Sequence, residues 1–168
     1  MGIRVKKLSF EAELDRGAVI SDAEEWVILE LESLKAFLSG VWEVFGSGAI
    51  TILIVAGQAV GRRMAKYLKR KGTTEGRRLV EAFIDFLAET GWGRVEVEKY
   101  GVEGRSCILK LYNFAFYRKL EKAWKYCSLF RGLAVGFFSE LWKTKISCKE
   151  VRCVLEGHEC CEFHLRAE

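Results

Sequence analysis

Apolar residues recur at three- and four-residue steps early in the chain, which is the spacing of an amphipathic helix. In the first such stretch the apolar positions extend from Leu34 to Phe45. Ser33 stands just before them and is a typical N-cap residue, and the sequence GSG at 46–48 would end a helix. The pattern therefore predicts a first helix that begins at Ser33 and stops before residue 46.

A long second helix is predicted from Ala49 to Lys71. The segment begins wholly apolar and ends strongly basic, and its length without a proline favours one helix over a strand followed by a helix. Gly57 and Gly61 lie on one face of this helix, where a partner element can approach closely. Simple close packing explains these two glycines without a functional role.

A third helix is predicted after the break at 72–75, and it ends at the sequence GWG at 91–93. Its buried face is defined by four apolar residues, namely Leu79, Phe83, Phe86 and Leu87.

The N-terminal part has weaker patterns. Residues 3–10 alternate weakly, which predicts an edge strand or an ordered arm, and Asp15-Arg16-Gly17 predicts a turn. Residues 26–31 (WVILEL) are apolar and β-branched enough for a strand, with the start of the first helix as the alternative. We therefore predict an N-terminal arm or edge strand at residues 1–25 and one further domain at residues 26–168.

After residue 93 the period changes to two, which is typical of strands. Residues 95–98 and 107–112 predict an antiparallel hairpin, and 113–126 predicts a short helix or a structured loop over the sheet. A last helix from Cys127 is followed by two short alternating segments that meet around residues 156–159. This order predicts an α+β fold in which an antiparallel sheet is covered by helices, with a C-terminal helix followed by a hairpin.

Composition narrows the classes of function. The chain has 168 residues, of which half are hydrophobic and 30% charged, and a formal net charge of +4. Basic residues gather between Arg62 and Arg78, but no recognition motif accompanies them, so we expect a solvated face and no nucleic-acid partner. No signal peptide opens the sequence, and the apolar run Ala49–Ala56 is too short to span a bilayer. These features predict a cytoplasmic protein, where six cysteines favour thiolates or metal ligands over disulfides.

The cysteines concentrate near the C-terminus, where five of the six lie between residues 127 and 161. Cys127 opens the last helix, Glu150 and Cys153 lie on the first strand of the terminal hairpin, and the second strand carries a Cys160-Cys161 pair. Neighbouring side chains of a strand point to opposite faces. Cys161 shares its face with Phe163 and Leu165, which favours Cys161 as the inward cysteine.

Thiolates and a carboxylate converging from three places are typical of a metal site with four ligands. The predicted ligand set is Cys127, Glu150, Cys153 and Cys161. Buried, unreactive thiols are the alternative, and they are the better interpretation of Cys107. Cys160, His158 and His164 remain possible substitute ligands, although a solvated histidine is the simpler role for each His.

The C-terminal stretch resembles the 4-vinyl reductase domain family. The motifs are the glycine-rich aromatic helix FRGLAVGFFSEL at 130–141, the Glu150-x2-Cys153 pair, Gly157 in the turn, and Cys161-Glu162-Phe163. Two upstream segments add to the resemblance, namely Asn113-Phe114 and AGQAVGRRMA at 56–65.

The resemblance implies a small-molecule sensor domain with the fold of the TRAPP transport-complex subunits, a homodimer, and a structural zinc on Cys127, Glu150, Cys153 and Cys161. It also implies an apolar cavity between sheet and helices for a small hydrophobic or aromatic ligand. The candidate lining residues are Trp42, Tyr112, Phe114, Phe116, Phe130, Phe137 and Phe138, of which at most one of the last two faces a cavity.

Three classes of function remain open at the level of the sequence. The first is a ligand-binding module that signals through a separate output protein, since no output motif is visible. The second is an enzyme or accessory factor acting on a tetrapyrrole-like vinyl substrate, against which stand the lack of a dinucleotide fingerprint and a closed zinc site. The third is a scaffold that assembles partners.

Overall fold

A computed structural model describes residues 11–13, 18–21, 24–73, 76–117 and 125–168 of the chain. The predictions for residues 3–10 and 15–17 lie outside these ranges. The described part consists of four helices and seven strands, which in chain order are β1 (Glu11–Glu13), β2 (Ala18–Ser21), β3 (Glu24–Trp26), α1 (Leu31–Phe45), α2 (Ala49–Arg70), α3 (Gly76–Glu89), β4 (Arg94–Gly101), β5 (Ser106–Tyr112), α4 (Cys127–Trp142), β6 (Ile146–Arg152) and β7 (Cys161–Ala167).

The main sheet has four antiparallel strands in the order β4-β5-β7-β6. Burial alternates along the central strand β5, so that Cys107, Leu109 and Leu111 are buried. On β7 the buried residues include Phe163, whose ring lies 5.1 Å from that of Phe130 in α4. One face of the sheet therefore packs against the helices, and the predicted α+β class is confirmed. A separate three-stranded sheet, β1-β2-β3, stands at the N-terminal end.

Helices α2 and α4 cross at very short range because glycines line the crossing. A Cβ atom on Gly61 would lie 2.0 Å from the carbonyl oxygen of Leu133, and one on Gly57 would lie 2.3 Å from that of Leu129. Gly132 of α4 is equally close to α2, since its Cβ would lie 2.2 Å from the Ile54 oxygen. The glycines are thus explained by close packing, as the sequence predicts, and the two helices form the centre of the helical layer.

The start of α1 differs from the prediction. Strand β3 ends at Trp26 and the helix begins at Leu31, with Glu30 in the N-cap position. Ser33 lies inside the first turn, where its hydroxyl contacts the Glu30 carboxylate at 3.4 Å. The helix starts earlier because Leu31 extends the apolar face by one turn and packs against the core. Residues 27–30 therefore form a connection and not the predicted strand.

The other helices and strands follow the predictions closely. The long second helix is continuous, and the third spans Gly76–Glu89 and is followed by a turn at Gly91. Between β5 and α4 the described residues include a single 3-10 turn, Ala115–Tyr117. These boundaries place Tyr117 and Cys127 at the two ends of a connection beside the hairpin β6–β7.

The stretch Leu31–Arg70, which comprises α1, a short turn and α2, is long and apolar enough to cross a membrane by length and composition. Its most apolar window has a mean hydropathy of 1.8 and is 22% buried within the protein. The buried part of α2 includes Leu53, Gly57 and Gly61. The apolar run at 49–56 is too short to span a bilayer by itself, and the length arises only when α1 and α2 are taken together.

Candidate metal centre and ligand cavity

A cluster of thiols and one carboxylate lies where the start of α4 meets the hairpin β6–β7. The ligand atoms of Cys127, Glu150 and Cys153 all lie within 4.8 Å of one another. The Cys153 sulfur is 3.8 Å from that of Cys127 and 3.9 Å from that of Cys161. Sulfurs bound to one tetrahedral zinc at about 2.3 Å stand about 3.8 Å apart. These two sulfur–sulfur distances from Cys153 match those between ligands of one metal ion, and both are too long for a disulfide.

The local structure explains why these residues meet. Cys127 is the first residue of α4, and Cys161 is the first residue of β7, where it pairs with Leu111 of β5. The hairpin turns through a 3-10 segment, Val154–Glu156, and Gly157, whose φ of +87° favours glycine. This turn brings Cys153 back over Cys161. All three cysteines are at most 4% exposed.

Glu150 contributes an unusual feature to the cluster. Its Oε1 atom is buried and has no hydrogen-bond partner among the described residues. A buried carboxylate oxygen without a donor is costly unless a cation or a proton compensates it. The Glu150 carboxylate lies beside the sulfurs of Cys127 and Cys153, so the donor set fits a cation bound by carboxylate and thiolates.

Without a metal the thiols of Cys127 and Cys153 keep their protons at neutral pH. Burial, with Cys127 and Glu150 nearby, raises the pKa of Cys153 to about 12. A hydrogen bond with Cys161 raises the pKa of Cys127, and burial and the Glu150 carboxylate raise it further. A metal ion must displace these protons, because only the thiolate is a strong ligand.

Tyr117 is a neighbour of the cluster that the sequence pattern does not predict. Its hydroxyl oxygen accepts a hydrogen bond from the backbone N–H of Cys127 at 2.9 Å. Burial, followed by the adjacent Cys127 side chain, raises the pKa of Tyr117, so the hydroxyl keeps its proton. Its ring packs edge-on against Phe114, with centroids 5.6 Å apart. No sequence spacing links Tyr117 to the hairpin, which is why the pattern could not reveal it.

The alternative ligands are placed elsewhere. His164 Nε2 lies 2.6 Å from a Glu162 carboxylate oxygen, on the strand positions that point away from the helices. His158 is exposed in the turn. Burial, followed by the neighbouring Cys160 side chain, raises the pKa of Tyr112, and the position of Tyr112 in the alternation of β5 puts this pair on the outer face of the sheet.

An apolar cavity of about 470 Å³ lies between α2, α3 and β3. Its walls include five aromatic or sulfur-containing side chains, namely Trp26, Met64, Tyr67, Phe86 and Trp92. Arg63 and Glu25 also border it. The rings of Trp26, Tyr67 and Phe86 form one cluster, with centroids 5.6 to 6.3 Å apart.

The predicted lining residues lie elsewhere in the structure. Trp42, Phe116, Phe130, Phe137 and Phe138 are buried in the core, where Phe137 stacks on Phe83 at 3.9 Å. Phe114 borders a second, more polar cavity of about 480 Å³ beside Tyr117 and Cys161.

Tyr112 requires a correction. It occupies the outer face of β5, and the guanidinium carbon of Arg94 lies 4.2 Å from its ring centre. It therefore does not line a cavity between the sheet and the helices, because its side chain points away from the face on which Cys107, Leu109 and Leu111 are buried. Among the described residues of the apolar cavity, Val60, Met64 and Tyr67 share a face of α2, and their spacing in the sequence could have indicated a common wall. The same spacing is also typical of an ordinary hydrophobic core.

The fold has several structural relatives. The chain is similar to the phenol-responsive sensory domain of the transcription activator PoxR in its structure with phenol, with a TM-score of 0.76 and 17% identity over 96% of this chain and 85% of that one. It is also similar to a trafficking protein particle complex subunit 3 from Naegleria fowleri covalently bound to palmitic acid, with a TM-score of 0.64 and 12% identity over 82% and 92% of the two chains. A vinyl-4-reductase family protein from Methanocaldococcus jannaschii has a TM-score of 0.59 and 17% identity over 85% and 84%. No curated protein matches the chain by sequence.

These likenesses define the class by its fold: an antiparallel sheet covered by helices, shared by the PoxR sensory domain and the trafficking-complex subunit. Residues 118–167 match the V4R domain, and a vinyl-4-reductase family protein is among the structural relatives, so the resemblance to 4-vinyl reductase domains is confirmed.

Proposed function

We propose that this protein is a sensor domain that binds a small hydrophobic or aromatic molecule in the cavity between α2 and α3. The observation that carries the proposal is the cavity itself, which has about 470 Å³ and walls made largely of aromatic side chains. Cavities of this size with mostly apolar walls and few polar groups are typical of small-molecule sites. Binding of phenol by the similar PoxR domain supports the same ligand class here.

The ligand is held reversibly in this proposal. The similar trafficking subunit carries a covalently bound palmitic acid, but the cavity walls in the described part of this chain include no cysteine. Trp26 and Trp92 both face the cavity, so bound ligand should change the intrinsic fluorescence.

The test fills the cavity without removing core side chains. Ala59 is an exposed residue of α2 that borders the cavity, and Ala59→Trp should block it. We expect this variant to bind the probe 8-anilinonaphthalene-1-sulfonate, and competing phenol or palmitate, at least about tenfold more weakly, because the indole occupies the apolar volume. Fluorescence titration of the probe measures the loss.

Ala88→Trp is the matched control, since Ala88 is an exposed alanine of α3 outside the cavity wall. It should bind the probe as the wild type does. Equal probe affinity in all three proteins would contradict a ligand site at this cavity.

We further propose that Cys127, Glu150, Cys153 and Cys161 hold a structural zinc ion. The sulfur spacings near 3.8 Å and the orphaned Glu150 oxygen support this assignment. Four protein ligands leave no open coordination position, so zinc would supply stability and not catalysis. The free thiols also suit a cytoplasmic protein. Native mass spectrometry of purified protein tests this directly, as one zinc per chain is expected.

We also propose that the protein forms a homodimer through the exposed apolar side of α1. The apolar side chains exposed there include Phe37 (66% exposed), Val44 (75%) and Phe45 (56%), and Val27 just before the helix is 89% exposed. Monomers rarely expose apolar surface on this scale, whereas dimer interfaces bury it. A partner copy would explain why α1 buries only its opposite side.

Replacing Val44 by lysine is expected to convert the dimer to a monomer, because a charge would be buried at the interface without a partner. Val102→Lys is the control, since Val102 is 72% exposed in the β4–β5 turn far along the chain. Sedimentation velocity at about 10 µM distinguishes the two states. A monomeric wild type, or a dimeric Val44→Lys protein, would argue against this interface.

A further inference from the structure

Tyr117 contacts the thiol cluster through one atom that can make two hydrogen bonds. Its hydroxyl oxygen accepts the Cys127 N–H at 2.9 Å, and a phenolic hydroxyl retains a proton of its own to donate. The hydroxyl and the Cys127 thiol also lie close enough for each to shift the pKa of the other, and the hydroxyl lowers the pKa of the thiol. Tyr117 therefore holds the Cys127 backbone and lies beside its sulfur.

The position of Tyr117 is fixed by the surrounding rings. It ends the 3-10 turn Ala115–Tyr117, and its ring lies between Phe114 and Tyr126, with centroid distances of 5.6 and 6.3 Å. Phe114 is 2% exposed and Tyr126 is 2% exposed, so these neighbours are themselves held by the core. The hydroxyl is thus presented to Cys127 by a rigid aromatic support.

The charge of the proposed zinc site explains why a donor is needed there. Three thiolates and one carboxylate (−4) with Zn²⁺ (+2) leave a net charge of roughly −2 in a buried place. Hydrogen bonds to metal-bound sulfurs offset part of such a charge and orient the ligand. The backbone contributes as well, because Cys127 lies at the positively polarised N-terminus of α4 and the Leu155 backbone lies near the Cys153 side chain, whose pKa it lowers.

We propose that Tyr117 is a positioning residue of the metal centre, whose hydroxyl anchors Cys127 and donates a hydrogen bond to its metal-bound sulfur. The inference rests on the proposed zinc site and adds to it a residue outside the ligand set. The hydroxyl also caps α4, because it accepts one of the first N–H groups of that helix, which have no partner within the helix. Metal affinity and the start of the helix are thereby linked through one atom.

The test is Tyr117→Phe, which removes the hydroxyl and keeps the ring. We expect zinc to remain bound at one per chain but with about tenfold to a hundredfold lower affinity, measured by competition with a chelator, since partners of metal ligands contribute on that scale. In the cobalt(II)-substituted protein the sulfur-to-cobalt charge-transfer band should shift to lower energy, because the sulfur loses a hydrogen bond that stabilises its lone pairs. A purely structural role in packing would not move this band.

Tyr126→Phe is the matched control. Tyr126 belongs to the same ring cluster and precedes Cys127 directly, but its hydroxyl lies near Ser39, which lowers the pKa of Tyr126 against the larger effect of burial. This variant should keep the wild-type cobalt spectrum and zinc affinity. If Tyr117→Phe fails to fold, a 3-fluorotyrosine at position 117 keeps ring and hydroxyl but is a stronger donor, and the band should shift to higher energy.

The outcomes separate the two levels of the proposal. Wild-type protein that binds neither zinc nor cobalt would overturn the metal site itself. Metal binding by the wild type, with the same affinity and the same charge-transfer band in Tyr117→Phe, would overturn the role of Tyr117 alone.

Discussion

Replacing Cys161 by alanine is expected to remove the metal and to destabilise the whole domain. Zinc that binds only the folded state stabilises it by about 4 kcal/mol when free zinc exceeds its Kd a thousandfold. For a chain of this size that corresponds to a fall in Tm of about 8–16 °C. Thermal unfolding followed by circular dichroism, with zinc content measured in parallel, gives both quantities.

The neighbouring cysteine supplies the control for this change. Cys160 is 6% exposed, close to the 1% of Cys161, but its side chain contacts Tyr112 on the outer face. Cys160→Ala should keep one zinc per chain and lose only the small free energy of a shortened buried side chain, about 1 kcal/mol. Cys160 directly precedes the first residue of β7, so the two variants differ by one position along the chain and by the face of the sheet.

A chelator distinguishes loss of metal from loss of packing. Adding it should lower the Tm of the wild type almost to that of Cys161→Ala, while the variant itself should not respond. A chelator-insensitive wild type, or equal effects of Cys160→Ala and Cys161→Ala, would count against a zinc site at this hairpin.

Replacing Gly61 by alanine is expected to destabilise the domain by about 3 kcal/mol or more, because the added methyl group meets backbone and not a flexible side chain. The new Cβ would lie 2.0 Å from the Leu133 oxygen and 2.8 Å from the Phe137 nitrogen, so α2 and α4 would have to separate. Denaturant unfolding of the zinc-saturated protein measures the loss.

Gly40→Ala is the matched control in another helix. A Cβ atom at Gly40 in α1 has no heavy-atom neighbour within 4 Å. Alanine should therefore stabilise α1 by up to about 1 kcal/mol through its higher helix propensity. If both variants had the same stability, the close crossing of α2 and α4 would not be a source of stability.

The thiols of the terminal hairpin could be predicted to lie close together because the positions of Cys153 and Cys161 depend on a few neighbouring residues. A hairpin turn at Gly157 places Cys153 near the start of the second strand, and the alternation of β7 separates Cys161 from Cys160. Neither step depends on how the helices pack. The metal identity and the complete ligand set stay predictions, whereas the approach of Cys127, Glu150 and Cys153 within 4.8 Å is a property of the structure.

The cavity could not be predicted because its walls come from distant elements. Trp26 lies in β3, Tyr67 in α2 and Phe86 in α3. Each occurs in a pattern of apolar residues that is also typical of an ordinary hydrophobic core. The predicted lining residues are instead aromatic residues near the family motifs. Two of them, Phe130 and Phe137, belong to the hydrophobic core because α4 lies between the sheet and the other helices. Tyr117 escaped notice for the same reason, as its only link to Cys127 is spatial.

The sequence by itself determined the α+β class, the long helix at Ala49–Arg70, the close glycine faces and the set of candidate metal ligands. Each of these depends on hydrophobic period, turn residues or strand alternation, which act over a few residues. The tertiary structure alone decided where the empty volume lies, which tyrosine reaches the thiols, and that α1 leaves an apolar side uncovered. These properties depend on how separate elements pack, because a cavity or a contact is what remains after every side chain has found its neighbours.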